Sequence, residues 1–270
     1  MPELSPARLR LHRELQRVRE LAGLSQYGIA DRLSTSQGTV WRFEHGRAML
    51  AMPKIETWLA ACGVAGPERR RLLDLAEQVH GETRPWRDLL DDAEHLQEVA
   101  RRREAGAVLV QNFQPTIVPG LLQTPEYARL VFETGHTRDV SAAVAGRIER
   151  QQVLYSGRVR FEFALAERAL RADFGEPAIL AAQRDRIVSL AQLDSVAVAV
   201  VLDTATVLPW HNFIVWTDAE GDRYVTTELV HGAQELHDDR DVKVYLDLWG
   251  RLWGAALVGD DAVELIRSLG

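Results

Sequence analysis

The chain has 270 residues, of which 46% are hydrophobic and 26% are charged, close to the averages for globular proteins in solution. This length favours two domains, and the composition excludes a disordered, collagen-like or disulfide-stapled chain. The longest apolar run, Val196 to Leu202, has seven residues, whereas a membrane-spanning helix needs about 20, so we expect no membrane contact. The charged N-terminus and the single cysteine, Cys62, favour a reducing cytoplasm.

Charge is distributed unevenly along the chain. Residues 1–80 contain 12 Lys or Arg and 9 Asp or Glu, a net charge of +3, whereas residues 105–270 contain 15 and 23, a net charge of −8. A basic N-terminal part followed by an acidic remainder is typical of a nucleic-acid-binding module joined to a domain with another task. The segment Gly81 to Pro85 lacks periodicity and predicts the boundary. We therefore expect a DNA-binding domain over 1–80, a linker and connecting helix over 81–104, and a regulatory domain over 105–270.

The first 80 residues show the apolar periodicity and end signals of five helices. Ser25 and Ser36 are suitable N-cap residues for the second and third helices, and only the polar stretch Ser34 to Ser36 separates these two. Two short helices joined by such a turn, with helices before and after them, predict a helix-turn-helix. The predicted helices begin at about Ala7, Gln26, Gln37, Pro53 and Pro67.

The third predicted helix has an outward face that can reach base edges, because Val40 and Phe43 are expected to face the core. The residues of this outward face are Gln37, Thr39, Trp41 and Arg42. Trp41 has three open interpretations: it contacts a sugar or a thymine methyl group of DNA, packs against the second domain, or is half-buried in its own domain.

The string LSQYGIADRLSTSQGTVWRFEHGR resembles the lambda-repressor-type, or xenobiotic-response-element, helix-turn-helix. The resemblance covers about Leu9 to Val79 and implies an all-α DNA-binding fold. This sequence departs from the family pattern in that Gly28 lies inside the second helix and Ser34 replaces the usual turn glycine. It also has Gly38 on the recognition helix, which leaves that position without a side chain.

The resemblance implies a role for each matched residue. Gln37 would pair with adenine in the major groove, and Arg42 would reach a guanine edge or a phosphate; the alternative is that both are ordinary solvated helix residues. Arg19 and Glu44 match a buried ion pair that holds the first helix to the third. The residues implied to contact the DNA backbone are Gln26, Ser36 and Arg47.

Strands and helices interleave irregularly after the linker, which predicts an α+β domain with a mostly antiparallel sheet. An amphipathic helix is predicted from Trp86 to Ala100. Strands are predicted at 107–113, 159–165, 196–202, 213–217 and 223–229. Helices are predicted at about 125–133, 140–155, 177–192, 241–257 and 261–269.

Three segments of this half resemble the blocks of a large actinobacterial family: NFQPTIVPGLLQTPEYARLVF, RIERQQVLYSG and FALAERALRADFG. Its members join an N-terminal helix-turn-helix to a C-terminal domain of unknown function and are described as antitoxin-like transcriptional regulators. The resemblance covers about residues 100–265. It implies a gene that often lies beside one for a small partner protein, and it implies no mechanism for the domain.

No phosphate-binding glycine loop or nucleophile elbow occurs in the sequence, so we expect no catalytic site, no cofactor and no metal. Arg147, Arg150 and Gln151 lie on one face of a predicted helix. Two interpretations of this group remain open, namely recognition of an anion or a partner's carboxylate, and internal salt bridges. The apolar face of helix 241–257 likewise either covers the sheet or forms a dimer or partner surface.

The leading hypothesis is a transcriptional regulator that binds double-stranded DNA at an inverted repeat as a homodimer and senses a protein or a small-molecule ligand. The alternative is an antitoxin-like interaction protein that mainly binds a small protein encoded by a neighbouring gene, with autoregulation secondary. A DNA-tethered enzyme is a third and remoter hypothesis.

Overall fold

The computed structural model describes residues 6–46, 48–80, 83–85, 93–135, 137, 139–172, 174–207, 209–229 and 232–269. The chain divides into two compact units. The first consists of Met1–Thr83 with Gln234–Lys243, and the second of Arg84–Ala233 with Val244–Gly270. The segment Gln234–Lys243 was not expected in the first unit, because nothing in its local sequence distinguishes it from the surrounding C-terminal half.

The described residues between positions 6 and 80 form the five predicted helices. Ser25 Oγ accepts the amide of Gly28 at 3.0 Å, and Ser36 Oγ accepts the amide of Thr39 at 3.1 Å, so both serines cap the helices that follow them. The helices are α1 (Pro6–Leu21), α2 (Gln26–Arg32), α3 (Gln37–Glu44), α4 (Met52–Ala61) and α5 (Gly66–His80).

A single apolar core joins these helices. Trp58 of α4 is fully buried, its ring lies 5.5 Å from that of Phe43 of α3, and its Nε1 donates to the carbonyl of Leu15 in α1 at 3.0 Å. The indole therefore contributes its apolar area to the core while its one polar group is satisfied. This arrangement fixes α3 against two other helices.

The turn between α2 and α3 contains a serine in the left-handed region. Ser34 has φ of 50°, a conformation that glycine adopts freely but that costs an L-residue about 1 kcal/mol or more. The turn is held by the amide of Thr35, which donates to the carbonyl of Ala30 at 3.0 Å. Ser34 therefore keeps the shape of a turn that usually contains glycine, at a cost in stability.

The second unit is an α+β domain, as the sequence predicted. Its helices are α6 (Ala93–Gly106), α7 (Pro125–Thr134), α8 (Val140–Arg150), α9 (Pro177–Leu190), α10 (Asp239–Ala255) and α11 (Asp260–Ser268). Its strands are β1 (Thr83–Pro85), β2 (Ala107–Gln114), β3 (Arg160–Ala166), β4 (Val196–Val201), β5 (Phe213–Asp218), β6 (Arg223–Leu229), β7 (Gly232–Leu236) and β8 (Leu257–Val258). The chain crosses between the two units within β1, β7 and α10.

The strands form one mixed, mostly antiparallel sheet in the order β1-β7-β6-β5-β2-β3-β4-β8. Strands β2, β3 and β4, the fifth to seventh in this order, run parallel, with Val110 opposite Phe161 and Phe161 opposite Val196. Antiparallel pairs flank them, β2 with β5, β5 with β6, and β4 with β8. The predicted mostly antiparallel sheet is confirmed, with a parallel part formed by β2, β3 and β4.

Helices cover both faces of this sheet. One face carries Phe161 and Trp216 and packs with residues of α7, α9 and α11 in a continuous core. On the other face, Phe213 contacts Tyr245 and Trp249 of α10, with ring centroids 5.1 and 6.3 Å apart. The apolar face of α10 therefore covers part of the sheet, as one of the two interpretations of that helix required.

The observed elements differ from the predicted ones in several places. The predicted helix 140–155 is α8 followed by a 3₁₀ turn over Gln151–Tyr155. The short strands β1, β7 and β8 were not predicted, because strands this short carry little periodicity. The predicted start of the connecting helix at Trp86 lies outside the described residues. Among the described helices, none combines the length and the apolar composition needed to cross a membrane.

Shielding from water lowers the pKa of two histidines in the first unit. His12 of α1 is 2% exposed, neither ring nitrogen has a hydrogen-bond partner, and its ring packs edge-on at 4.5 Å against Phe43. Burial lowers the pKa of His12 to about 4. Burial also lowers the pKa of His80 to about 4, although its Nε2 lies 3.0 Å from the carbonyl of Leu50.

We predict that acid destabilises the first unit through these histidines. The ordinary histidine pKa is about 6.5, so between about pH 6.5 and 4 the unfolded chain binds protons that the folded chain excludes, and the free energy of unfolding falls as the pH is lowered. At about pH 5, His12 alone contributes a loss of about 2 kcal/mol. His12→Leu should therefore lose less stability than wild type between about pH 7.5 and 5, measured by urea unfolding. Equal losses in the two proteins would contradict this prediction.

Candidate functional site

Helix α3 presents one face to the core and the other to solvent. Val40 and Phe43 are fully buried, as predicted, whereas Gln37 is half-buried and Trp41 and Arg42 are exposed. Ser36 is exposed at the N-terminus of the helix, where its hydroxyl caps α3. Four of the predicted DNA-contacting residues therefore lie on one outward surface of α3, the helix that follows the turn. They are Ser36, Gln37, Trp41 and Arg42.

Thr39 does not lie on that surface, contrary to its predicted place. Its exposed fraction is 4%, and its hydroxyl lies 3.3 Å from Ser36 Oγ and accepts a hydrogen bond from Arg42 Nη2 at 2.8 Å. The physical reason is the helical period, since position 39 falls beside the cap and turns inward with Val40. Thr39 therefore holds the Arg42 guanidinium beside α3 and has no exposed surface for DNA.

A chain of hydrogen bonds connects Gln37, at the start of α3, to the interior of the first unit. Gln37 Nε2 donates to Gln26 Oε1 at 2.6 Å, and Gln26 Nε2 donates to Glu44 Oε2 at 2.7 Å. The Glu44 carboxylate then accepts from Arg19 Nε at 2.5 Å and Nη2 at 3.0 Å. The Glu44 side chain is 1% exposed. The residues predicted as an ion pair are thus joined, and the pair extends through Gln26 to Gln37.

This chain fixes the orientation of the Gln37 amide. Gln37 uses one N–H to reach Gln26, which leaves its carbonyl oxygen and its second N–H for other contacts. The second N–H can donate to N7 of adenine in the major groove, and the carbonyl oxygen can accept from the N6 amino group of the same base. Because Gln26 is tied to a buried carboxylate, less rotamer freedom is lost when Gln37 binds a base.

An aromatic pair lies one turn further along α3. The rings of Trp41 and His45 stack with centroids 4.3 Å apart and an angle of 24°, and His45 Nδ1 donates to the Trp41 carbonyl at 2.8 Å. Trp41 is 36% exposed, so it is not buried in its own core. His45 was not among the predicted site residues, although its spacing of four residues from Trp41 places the two side chains on one face of a helix. Arg47, also predicted to contact DNA, lies outside the described residues.

In the second unit, buried glutamines hold the segment from Val118 to Thr124. Gln123 Nε2 donates to the Val118 carbonyl at 2.7 Å, and Gln151 Nε2 donates to the Gln123 carbonyl at 2.6 Å. Gln183 Nε2 donates to the Leu122 carbonyl, and its Oε1 accepts the amide of Thr124, both at 2.8 Å. The distinctive VPGLLQT string therefore contains a 3₁₀ turn over Gly120–Leu122, and side chains rather than a sheet satisfy backbone groups on either side of that turn.

The structure separates the residues of the Arg147, Arg150 and Gln151 group. Arg150 forms an internal ion pair with Glu104 at 2.8 Å and donates to Gln97 at 2.7 Å, and Gln151 supports the backbone. The interpretation as internal contacts thus holds for these two residues. Arg147 differs, because its Nη1 donates to the neutral Oε1 of Gln123 at 2.6 Å.

We predict that the Glu44 carboxylate is essential to the stability of the first unit. Removing one partner of a buried ion pair leaves the other charge uncompensated and costs about 3–5 kcal/mol. Glu44→Gln should therefore lower the opening free energy of α3 by at least about 3 kcal/mol, measured by native-state hydrogen exchange of its backbone amides.

The matched control is Glu20→Gln. Glu20 lies 3.5 Å from the same Arg19, but its side chain is 57% exposed, so its loss should cost less than about 1 kcal/mol. Similar protection of α3 in Glu44→Gln and wild type would show that the buried pair does not hold the helices.

Comparison with known proteins finds a family match for each half of the chain. A family described as a helix-turn-helix domain matches residues 10–72, which contain α2, α3 and the turn between them. A family described as a domain of unknown function (DUF5753) matches residues 97–268. A search of curated proteins found no significant match. Since the second match spans more than half of the chain, the protein belongs to the DUF5753 family, and it carries a helix-turn-helix domain at its N-terminus.

Proposed function

We propose that this protein is a sequence-specific DNA-binding transcriptional regulator without catalytic activity. The observation that carries the proposal is the outward amide of Gln37, positioned at the start of α3 by its hydrogen bond to Gln26. Helix-turn-helix domains place this part of the recognition helix against base edges in the major groove. Arg42, exposed one turn further on, supplies a positive charge for a guanine edge or a phosphate.

We further propose that it binds an inverted repeat as a homodimer. One recognition helix reads about half of such a site, and a dimer places two of them about one DNA turn apart. The second unit has a net negative charge, which repels DNA. Its surface is therefore available for contacts with molecules other than DNA. On α10, Leu252 is fully buried while Trp253 is only half-buried, which supports this helix as a contributor to the dimer surface.

The second unit is proposed to sense a small-molecule ligand or a protein partner. The alternative function, an antitoxin-like protein that mainly binds a small protein encoded by a neighbouring gene, is supported by Trp210. This side chain is 98% exposed, and tryptophan is enriched among residues that dominate protein–protein binding. A gel shift on the protein's own promoter, with and without the product of the adjacent gene, distinguishes the two roles.

We predict that Gln37 determines base specificity. Gln37→Ala should cost about 1–3 kcal/mol on the cognate site and little on random duplex DNA, because the amide contacts a base and not the backbone. Fluorescence anisotropy at fixed salt measures both affinities. Gln78→Ala is the control, since Gln78 is an exposed glutamine on α5. Equal weakening on cognate and random DNA would place Gln37 at the phosphates.

The dimer is tested with the full chain. Selection from a random duplex library should yield an inverted repeat with half-sites about 10 base pairs apart, and sedimentation should show a dimer at micromolar concentration. A single half-site should bind far more weakly than the complete repeat. A monomer that selects an asymmetric site would contradict the dimer while leaving the DNA-binding role intact.

A further inference from the structure

Gly38 lies on the outward surface of α3, at a position where the fold does not require a glycine. Its backbone is helical and the residue is exposed. Among the described residues, a Cβ added here would meet only Ser36 Oγ beyond its chain neighbours and its own helix, at 3.5 Å, an ordinary van der Waals contact. Because glycine is a poorer helix former than alanine, its presence here has no explanation in the folding of this unit.

Two exposed side chains border this glycine on the helix surface. Trp41 and Arg42 follow Gly38 by three and four residues, the spacings that place side chains next to one another on a helix. Trp41 keeps an exposed fraction of 36%. The missing side chain of Gly38 therefore leaves a gap beside Trp41 and Arg42, which we call the α3 notch.

The indole that borders the α3 notch is held in place by His45. The imidazole of His45 stacks on the Trp41 ring, with centroids 4.3 Å apart and an angle of 24°, so it covers one face of the indole. The His45 Nδ1 lies 2.8 Å from the Trp41 carbonyl, which fixes the imidazole in turn. An exposed aromatic ring that is already packed on one side loses less freedom when a second apolar group binds to it.

We propose that the α3 notch binds the 5-methyl group of a thymine in the operator. Glycine occurs where a backbone must come close to a ligand, and a recognition helix lies in the major groove of DNA. The apolar group that a base presents in this groove is the thymine methyl, which apolar side chains recognise by contact. This inference rests on the proposed DNA-binding role and adds a second base contact to that of Gln37.

The first test removes the methyl group from the DNA. The full-length protein selects its operator from a random duplex library, and each thymine is then replaced singly by uracil, which lacks only the 5-methyl group. Wild type should lose about fourfold in affinity at one thymine for each bound recognition helix, the value of one buried methyl group. Trp41→Ala should bind the thymine and uracil operators equally at that position. Trp210→Ala, which removes a 98% exposed tryptophan from the second unit, should keep the fourfold preference.

The second test adds a methyl group to the protein. Gly38→Ala places a Cβ in the α3 notch, so it should weaken binding to the thymine operator by at least about fourfold, and uracil at the same position should restore most of the loss. Its melting temperature should be no lower than that of wild type, because the helix has room for this group and alanine favours the helix. Gly28→Ala adds the same group to α2 and should keep the thymine preference of wild type.

His45 is a positioning residue in this proposal. His45→Ala should reduce the preference for thymine over uracil, because the indole loses the ring that holds it. His45→Phe keeps a ring against the indole and should retain the preference. Equal preferences in wild type and His45→Ala would show that the stack does not position Trp41.

Two results would overturn the proposal while leaving the DNA-binding role intact. In the first, an operator is selected but no thymine shows an effect of uracil that depends on Trp41; equal weakening of both operators by Trp41→Ala would place the indole at the sugar–phosphate backbone. In the second, Gly38→Ala binds the thymine operator as tightly as wild type. Failure to select any duplex would overturn the DNA-binding role and the α3 notch together.

Discussion

The buried carboxylate of Glu44 is the constraint on which the first unit depends. A charge removed from water must be compensated, and here Arg19 of α1 and Gln26 of α2 both donate to it. One side chain of α3 is thereby bonded to the two helices that precede it. Because Gln26 also accepts the Gln37 amide, the requirement to satisfy a buried charge also orients the residue proposed to read a base.

Buried polar groups have a different role in the second unit. Gln123, Gln151 and Gln183 are neutral, almost completely buried, and bonded to the backbone of one irregular segment. Neutral amides cost less to bury than charges when their hydrogen bonds are made, so they can specify the path of a loop within the core. Arg147 joins this network through Gln123, to whose Oε1 it donates, and its guanidinium stacks on the Phe132 ring, with Cζ 4.0 Å from the ring centroid.

The sequence by itself determined the helix-turn-helix and the fold class of both halves. Apolar periodicity together with Ser25 and Ser36 as caps is a local signal, and local signals define helices. The core positions Val40 and Phe43 followed from the same period. The resemblance also paired Arg19 with Glu44, because that pair belongs to a motif whose spacing is kept within one stretch of chain. The prediction of Thr39 as outward-facing was wrong because the period places it at the edge of the buried stripe, where the cap decides its orientation.

Only the tertiary structure decided which polar side chains meet. Gln37 and Gln26 are 11 residues apart, Arg150 and Glu104 are 46 apart, and Gln183 bonds a carbonyl 61 residues away. Such partners produce no periodic pattern in the sequence, because each hydrogen bond depends on how whole helices and strands pack and not on neighbours along the chain. The same reason made Arg147 and Arg150 equivalent in the sequence, whereas in the folded chain Arg150 pairs with the Glu104 carboxylate and Arg147 donates to the Gln123 amide oxygen.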